Sequence, residues 1–134
     1  MYVHKRFISY DKAGRIAEKS YPQTGTVKKY TYYTDGTLKD VLTYVEGKLT
    51  NTENIEYDRN GNKTLWYQNE KVTSYTYDGM NRLKGVKESN GVLTEYEFDS
   101  FGNISREYIL TSTGIKTKQY EYDGNNRQIG RAHV

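Results

Sequence analysis

The sequence predicts an all-β chain: an antiparallel meander of successive hairpins laid out as a curved, single-layer sheet. The first observation is composition. Fifteen Tyr, fifteen Thr and twelve Gly stand against three Ala and one Pro, a set that favours strands and tight turns and leaves little to build helices from. The second is a nine-residue pattern written six times without a gap, and self-similarity at a fixed spacing is the mark of a repeat architecture. The third is a further turn signal between each pair of copies, so that one period holds two strands and two turns.

The copies are ISYDKAGRI from Ile8, YTYYTDGTL from Tyr30, IEYDRNGNK from Ile55, YTYDGMNRL from Tyr75, YEFDSFGNI from Tyr96 and YEYDGNNRQ from Tyr120. Their fourth positions, Asp11, Tyr33, Asp58, Asp78, Asp99 and Asp123, are separated by 22, 25, 20, 21 and 24 residues. The first and third positions lie two apart and share one face of a strand. Tyr10, Tyr32, Tyr57, Tyr77, Phe98 and Tyr122 fill the third, so this face is aromatic, and cross-strand aromatic pairs are expected to hold neighbouring copies in register. The fourth-position aspartate can bond backbone amides ahead of it. Gly14, Gly36, Gly61 and Gly102, or Asn81 and Asn126, supply the residue that accepts positive φ.

A returning strand then starts at Ile16, Leu38, Leu83 and Ile104, with Lys63 and Gln128 departing from the apolar rule. The linking turns are expected at Gln23-Thr24-Gly25, Glu46-Gly47, Gln68-Asn69-Glu70, Asn90-Gly91 and Ser112-Thr113-Gly114. Five full intervals give about ten strands, or about twelve with the ends.

At these positions the chain resembles the tyrosine-aspartate (YD) repeats of the Rhs family, whose pattern is Tyr-x-Tyr-Asp-x-x-Gly-Arg-Leu. YTYDGMNRL comes nearest; Arg15, Arg82 and Arg127 match the arginine position, whereas Thr37, Asn62 and Asn103 do not, and Tyr33 replaces the aspartate. The resemblance implies a β-sheet strip belonging to a shell, in a secreted or cell-surface protein that houses or presents a C-terminal effector or toxin domain. It implies as partners further repeats of the same parent chain and that enclosed domain. YD repeats are also described as carbohydrate-binding, which makes glycans the alternative partner. The family's aspartate-protease-like ending and toxin domain have no counterpart in these residues, so neither activity is carried over.

The repeat array covers residues 1–128, and Ile129–Val134 reads like a non-native tail, the translation of a sequencing adapter, which suggests a truncated reading frame. With no cysteine, disulfide frameworks and thiolate chemistry are excluded. The sequence contains no nucleophile elbow, phosphate-binding loop or His-Glu-x-x-His. The expectation is therefore a non-enzymatic chain without cofactor.

Twenty Lys and Arg against seventeen Asp and Glu leave a formal charge of only +3. Neither nucleic acid nor membrane insertion is implied. Asp58-x-Asn60-Gly61 looks like the start of a calcium loop, but its twelfth position is Asn69 rather than Glu, and turn formation is the better reading. His4 and His133, at opposite ends of the chain, do not suggest a metal site. Trp66 and Tyr67, the notable aromatics outside the pattern, are the candidate glycan contacts, with packing beside Leu65 the plainer role for Trp66. A single layer has nothing of its own to cover its apolar face. Exposed edges and association are therefore expected.

Overall fold

The computed structural model describes residues 5–133. Twelve strands follow one another: β1 Phe7–Tyr10, β2 Ile16–Tyr21, β3 Thr26–Tyr32, β4 Leu38–Val45, β5 Lys48–Tyr57, β6 Lys63–Gln68, β7 Lys71–Tyr77, β8 Leu83–Lys87, β9 Leu93–Phe98, β10 Ile104–Thr111, β11 Gly114–Tyr122 and β12 Gln128–His133. Their order in the sheet is their order in the chain, and the described residues include no helix. His4 lies outside the described residues. Ile129–His133, which leaves the repeat in sequence, continues the strand begun at Gln128. Contacts gather the chain into two units, Met1–Tyr57 with Trp66–Lys71 and Asp58–Leu65 with Val72–Val134.

In the first unit β1 pairs with β2, β2 with β3, β3 with β4 and β4 with β5, all antiparallel. The turn between β4 and β5 is two residues long, Glu46 and Gly47, with φ of 49° and 80°. Positive φ at both positions gives a turn whose twist matches that of the flanking strands. In the second unit β7 pairs with β8, β8 with β9, β9 with β10, β10 with β11 and β11 with β12. Gly85 inside β8 is buried. A Cβ there would stand 2.9 Å from the Thr76 hydroxyl oxygen and 3.5 Å from the Thr94 carbonyl oxygen.

The sequence pattern did not indicate the bulges. The register shifts at Tyr10, Tyr32, Tyr77 and Tyr122, and between Ile104 and Arg106 opposite Phe98. Each shift places an extra residue on the returning strand beside the corner, adding local twist. Alternation survives on the outgoing strand. Tyr75, Tyr77, Tyr96, Phe98, Tyr120 and Tyr122 are half-buried, whereas Thr76, Glu97 and Glu121 between them are exposed.

Val41, at 7% exposure, is the buried apolar side chain among the described residues, and none is completely buried. Hydrophobic burial alone is a poor account of such a sheet, because each half-buried ring removes only part of its surface from water. Hydrogen bonds between and at the ends of strands must supply much of the remaining specificity.

Candidate functional site in the repeat corners

The recurring residues build one corner six times. In the first, the Asp11 amide donates to the Arg15 carbonyl at 2.7 Å and the Gly14 amide donates to the Asp11 carbonyl at 3.0 Å. One carboxylate oxygen of Asp11 accepts from the amides of Ala13 and Arg15 at 2.9 and 3.0 Å, and the other accepts from Arg15 Nε at 2.9 Å. The residue between must turn through positive φ, 81° at Gly14 and 62° at Asn81, which explains why the seventh position holds only glycine or asparagine.

The same contacts recur. Asp58 accepts from Asn60 and Asn62, Asp78 from Met80 and Arg82, Asp99 from Phe101 and Asn103, and Asp123 from Asn125 and Arg127, with backbone distances of 2.8–3.0 Å. Amide donation, first from the residue four ahead, holds each of these carboxylates below the ordinary aspartate range. At Asp58 the side chain of Asn62 also donates to the second oxygen, at 3.3 Å. The lone pairs that a calcium loop would offer to the ion are turned to N–H donors.

The second copy keeps the corner without its fourth-position aspartate. The Tyr33 amide donates to the Thr37 carbonyl and the Gly36 amide to the Tyr33 carbonyl, both at 2.9 Å. Asp35, two residues on, accepts from the amide and hydroxyl of Thr37 at 2.9 and 2.6 Å. A seventh corner of the same kind joins β8 to β9, where Glu88 and Val92 close the ring and Asn90 accepts from the Val92 amide at 3.0 Å. In the sequence Asn90-Gly91 reads as an ordinary linking turn. The missed signal was Asn immediately before Gly, the spacing that Asp35-Gly36 also has.

The corners are joined by the third-position rings. Backbone pairing of β2 with β3 runs only as far as Glu18 and Lys29, and beyond it the Tyr32 hydroxyl donates to the Ile16 carbonyl at 2.7 Å. Tyr57 donates to Leu38 at 3.0 Å, Tyr77 to Lys63 at 2.7 Å and Tyr122 to Ile104 at 2.7 Å. At Ile16, Leu38 and Ile104 the phenol reaches a carbonyl that lies beyond the last backbone pair with the strand carrying it. Opposite the repeat rings stand Val41 for Tyr30, Val86 for Tyr75 and Glu107 for Tyr96, so the copies are joined by these hydroxyls rather than by the expected cross-strand aromatic pairs; a ring-to-ring contact occurs where Tyr33 meets Tyr57 edge-on at 6.2 Å. Tyr33 also donates to the Ile55 carbonyl at 2.7 Å, so the residue that breaks the aspartate rule adds a bond to the next copy.

Phe98 is the third-position ring without a hydroxyl. Its face instead carries the Arg82 guanidinium, 4.4 Å from the ring centre. Phe98→Tyr is expected to add the missing bond to the Leu83 carbonyl and raise stability by about 0.5–1.5 kcal/mol in urea unfolding. No gain would show that the strand ends there are spaced too widely for the bond.

Trp66 is half-buried on β6, and its indole N–H donates to a Glu53 carboxylate oxygen at 3.1 Å. Tyr67 is 38% exposed and meets Glu56 at 3.5 Å through its hydroxyl. The two do not converge with the corner residues. Lys29 lies over Tyr44 and Lys19 over Tyr30, so these cations face rings of the sheet itself.

Corner and joint together define a β-hairpin repeat array whose recurring residues bond successive hairpins to one another. No family model matches the chain, and no curated protein matches it. Among solved structures it is similar to TcdB2-TccC3-Cdc42, with a TM-score of 0.81 and 18% identity over 96% of this chain and 7% of that one. TcdB2-TccC3 without its hypervariable C-terminal region is similar at 0.80 and 18%, again over 96% and 7%. The Tc holotoxin pore of Photorhabdus luminescens is similar at 0.68 and 16%, over 96% and 9%. At these identities the likeness is one of fold, and the chain spans less than a tenth of the solved chains it matches.

Proposed function

We propose that this chain is a wall segment of a YD-repeat, Rhs-type β-shell that encloses or presents a C-terminal effector or toxin domain in a secreted or cell-surface protein. Its role is structural rather than enzymatic, and its partners are further repeats and the domain they surround. The observation that carries the reading is the repeated phenol-to-carbonyl bond between consecutive copies. A residue used at every period serves the array, whereas a catalytic group is needed once. The fold shared with the TcdB2-TccC3 toxin structures over 96% of the chain supports the same reading.

The test is limited proteolysis of the full parent protein. The domain that follows the repeats should resist digestion, and Tyr32→Ala with Tyr77→Ala should expose it. Equal digestion with and without the substitutions would overturn the proposal. The glycan alternative gains nothing from Trp66, whose N–H is already engaged by Glu53. A glycan-array signal abolished by Trp66→Ala would restore it.

A further inference from the structure

Two Asn-Gly steps occur in the sequence, Asn60-Gly61 and Asn90-Gly91, each inside a corner. Such a step can deamidate without an enzyme, because a glycine nitrogen unshielded by a Cβ is able to attack the asparagine amide carbon. The two backbones are alike. The Gly61 and Gly91 amides donate to the carbonyls of Asp58 and Glu88 at 3.1 and 2.9 Å, the glycine φ angles are 84° and 90°, and both asparagines are exposed.

The asparagine side chains differ because the residue two places earlier differs. Asp58 takes the Asn62 amide at 2.9 Å, so Asn60 turns its side-chain nitrogen to Asn81 Oδ1 at 3.0 Å instead. In the other corner Glu88 stands in the aspartate's place. The Val92 amide there goes to Asn90 Oδ1 at 3.0 Å. A bond from the side-chain oxygen to the amide two residues on folds the Asn90 side chain back over the Gly91 peptide. This brings the amide carbon toward the nitrogen that attacks it. It also aims the Val92 N–H at the oxygen on which charge develops as the new bond forms.

We propose that Asn90 is a site of spontaneous deamidation, selected over Asn60 by Glu88. The Gly91 amide gives its proton to hydroxide and its nitrogen bonds to Asn90 Cγ. The bond from Cγ to Nδ2 breaks, ammonia leaves with a proton from water, and a succinimide ring closes. Water then opens the ring, so the net change is asparagine plus water to aspartate plus ammonia. Opening at the side-chain carbonyl gives an ordinary aspartate, the residue that already serves such a corner at Asp35, accepting from the Thr37 amide at 2.9 Å. Opening at the main-chain carbonyl gives a β-linked aspartate, which lengthens the backbone inside the ring that Glu88 and Val92 close. The proposal holds whatever the repeats enclose.

Peptide mapping by mass spectrometry tests it on the full chain held in mildly alkaline buffer. Asn90 should convert roughly tenfold faster than Asn60, the worth of a positioned donor and a near-attack geometry. In urea the two rates should converge. Glu88→Asp keeps the charge and installs the carboxylate found at Asp58 and Asp78. It should fold, as circular dichroism verifies, take the Val92 amide and slow Asn90 roughly tenfold. Four results would each overturn the proposal: an Asn90 that does not convert, equal rates at the two sites in the folded chain, a difference that persists in urea, or a folded Glu88→Asp variant that reacts as fast as wild type.

Discussion

Tyr77→Ala is expected to lower the unfolding free energy by about 2–4 kcal/mol, and Tyr77→Phe by about 1 kcal/mol. The alanine variant loses a half-buried ring on β7 together with its hydroxyl, while the phenylalanine variant loses only the bond to the Lys63 carbonyl. In a sheet whose buried apolar side chain among the described residues is Val41, no nearby core can take over the loss. Burial raises the Tyr77 hydroxyl above its ordinary titration range, so the phenol remains a donor at neutral pH. Urea unfolding of the three proteins gives both differences. A Tyr77→Phe variant as stable as wild type would mean that the hydroxyl contributes nothing to the joint and that the rings act by packing alone.

Acid is expected to unfold the array over a window set by its corners. Asp11, Asp58, Asp78, Asp99 and Asp123 all titrate lower in the folded chain than the ordinary aspartate value of about 3.9. The unfolded chain therefore binds protons first. The corner contribution is complete above the unfolded value and is lost as the pH falls through the depressed folded values. Melting temperature should change little from pH 7 to 5 and fall steeply below about 4. Asp78→Asn separates this from general charge repulsion: it should melt lower at pH 7 and lose less on acidification. A parallel shift of the variant's whole curve would remove the corner as the source of the acid sensitivity.

Most of the strand order could be read from the sequence, because the period-two alternation at Tyr75-Thr76-Tyr77 and the Asp-x-x-Gly corners are local signals with local causes. The joints could not. That Tyr32 reaches Ile16, sixteen residues back, depends on β2 and β3 pairing no further than Glu18 and Lys29, and no special residue in the sequence marks where that pairing stops. Tyr33 was legible only as a broken rule. In the structure its neighbour Asp35 assumes the carboxylate's place, and the ring turns to Tyr57. The departures from arginine at the eighth position, Thr37, Asn62 and Asn103, are visible in the sequence, but what this position touches becomes clear only when Arg15 is seen over Tyr32 and Asn62 beside Asn81.

Because the eighth residue of a corner meets only the hairpin immediately after it, as Arg15 meets Tyr32 and Asn103 meets Asn126, a whole copy can be duplicated or deleted without disturbing distant joints. The requirement falls on the new border, where the eighth residue of one copy must suit the ring and corner of the next, as Arg15 suits Tyr32 and Asn62 suits Asn81. Genes for such arrays could then change length by slippage in whole periods, with the border pair deciding which products fold.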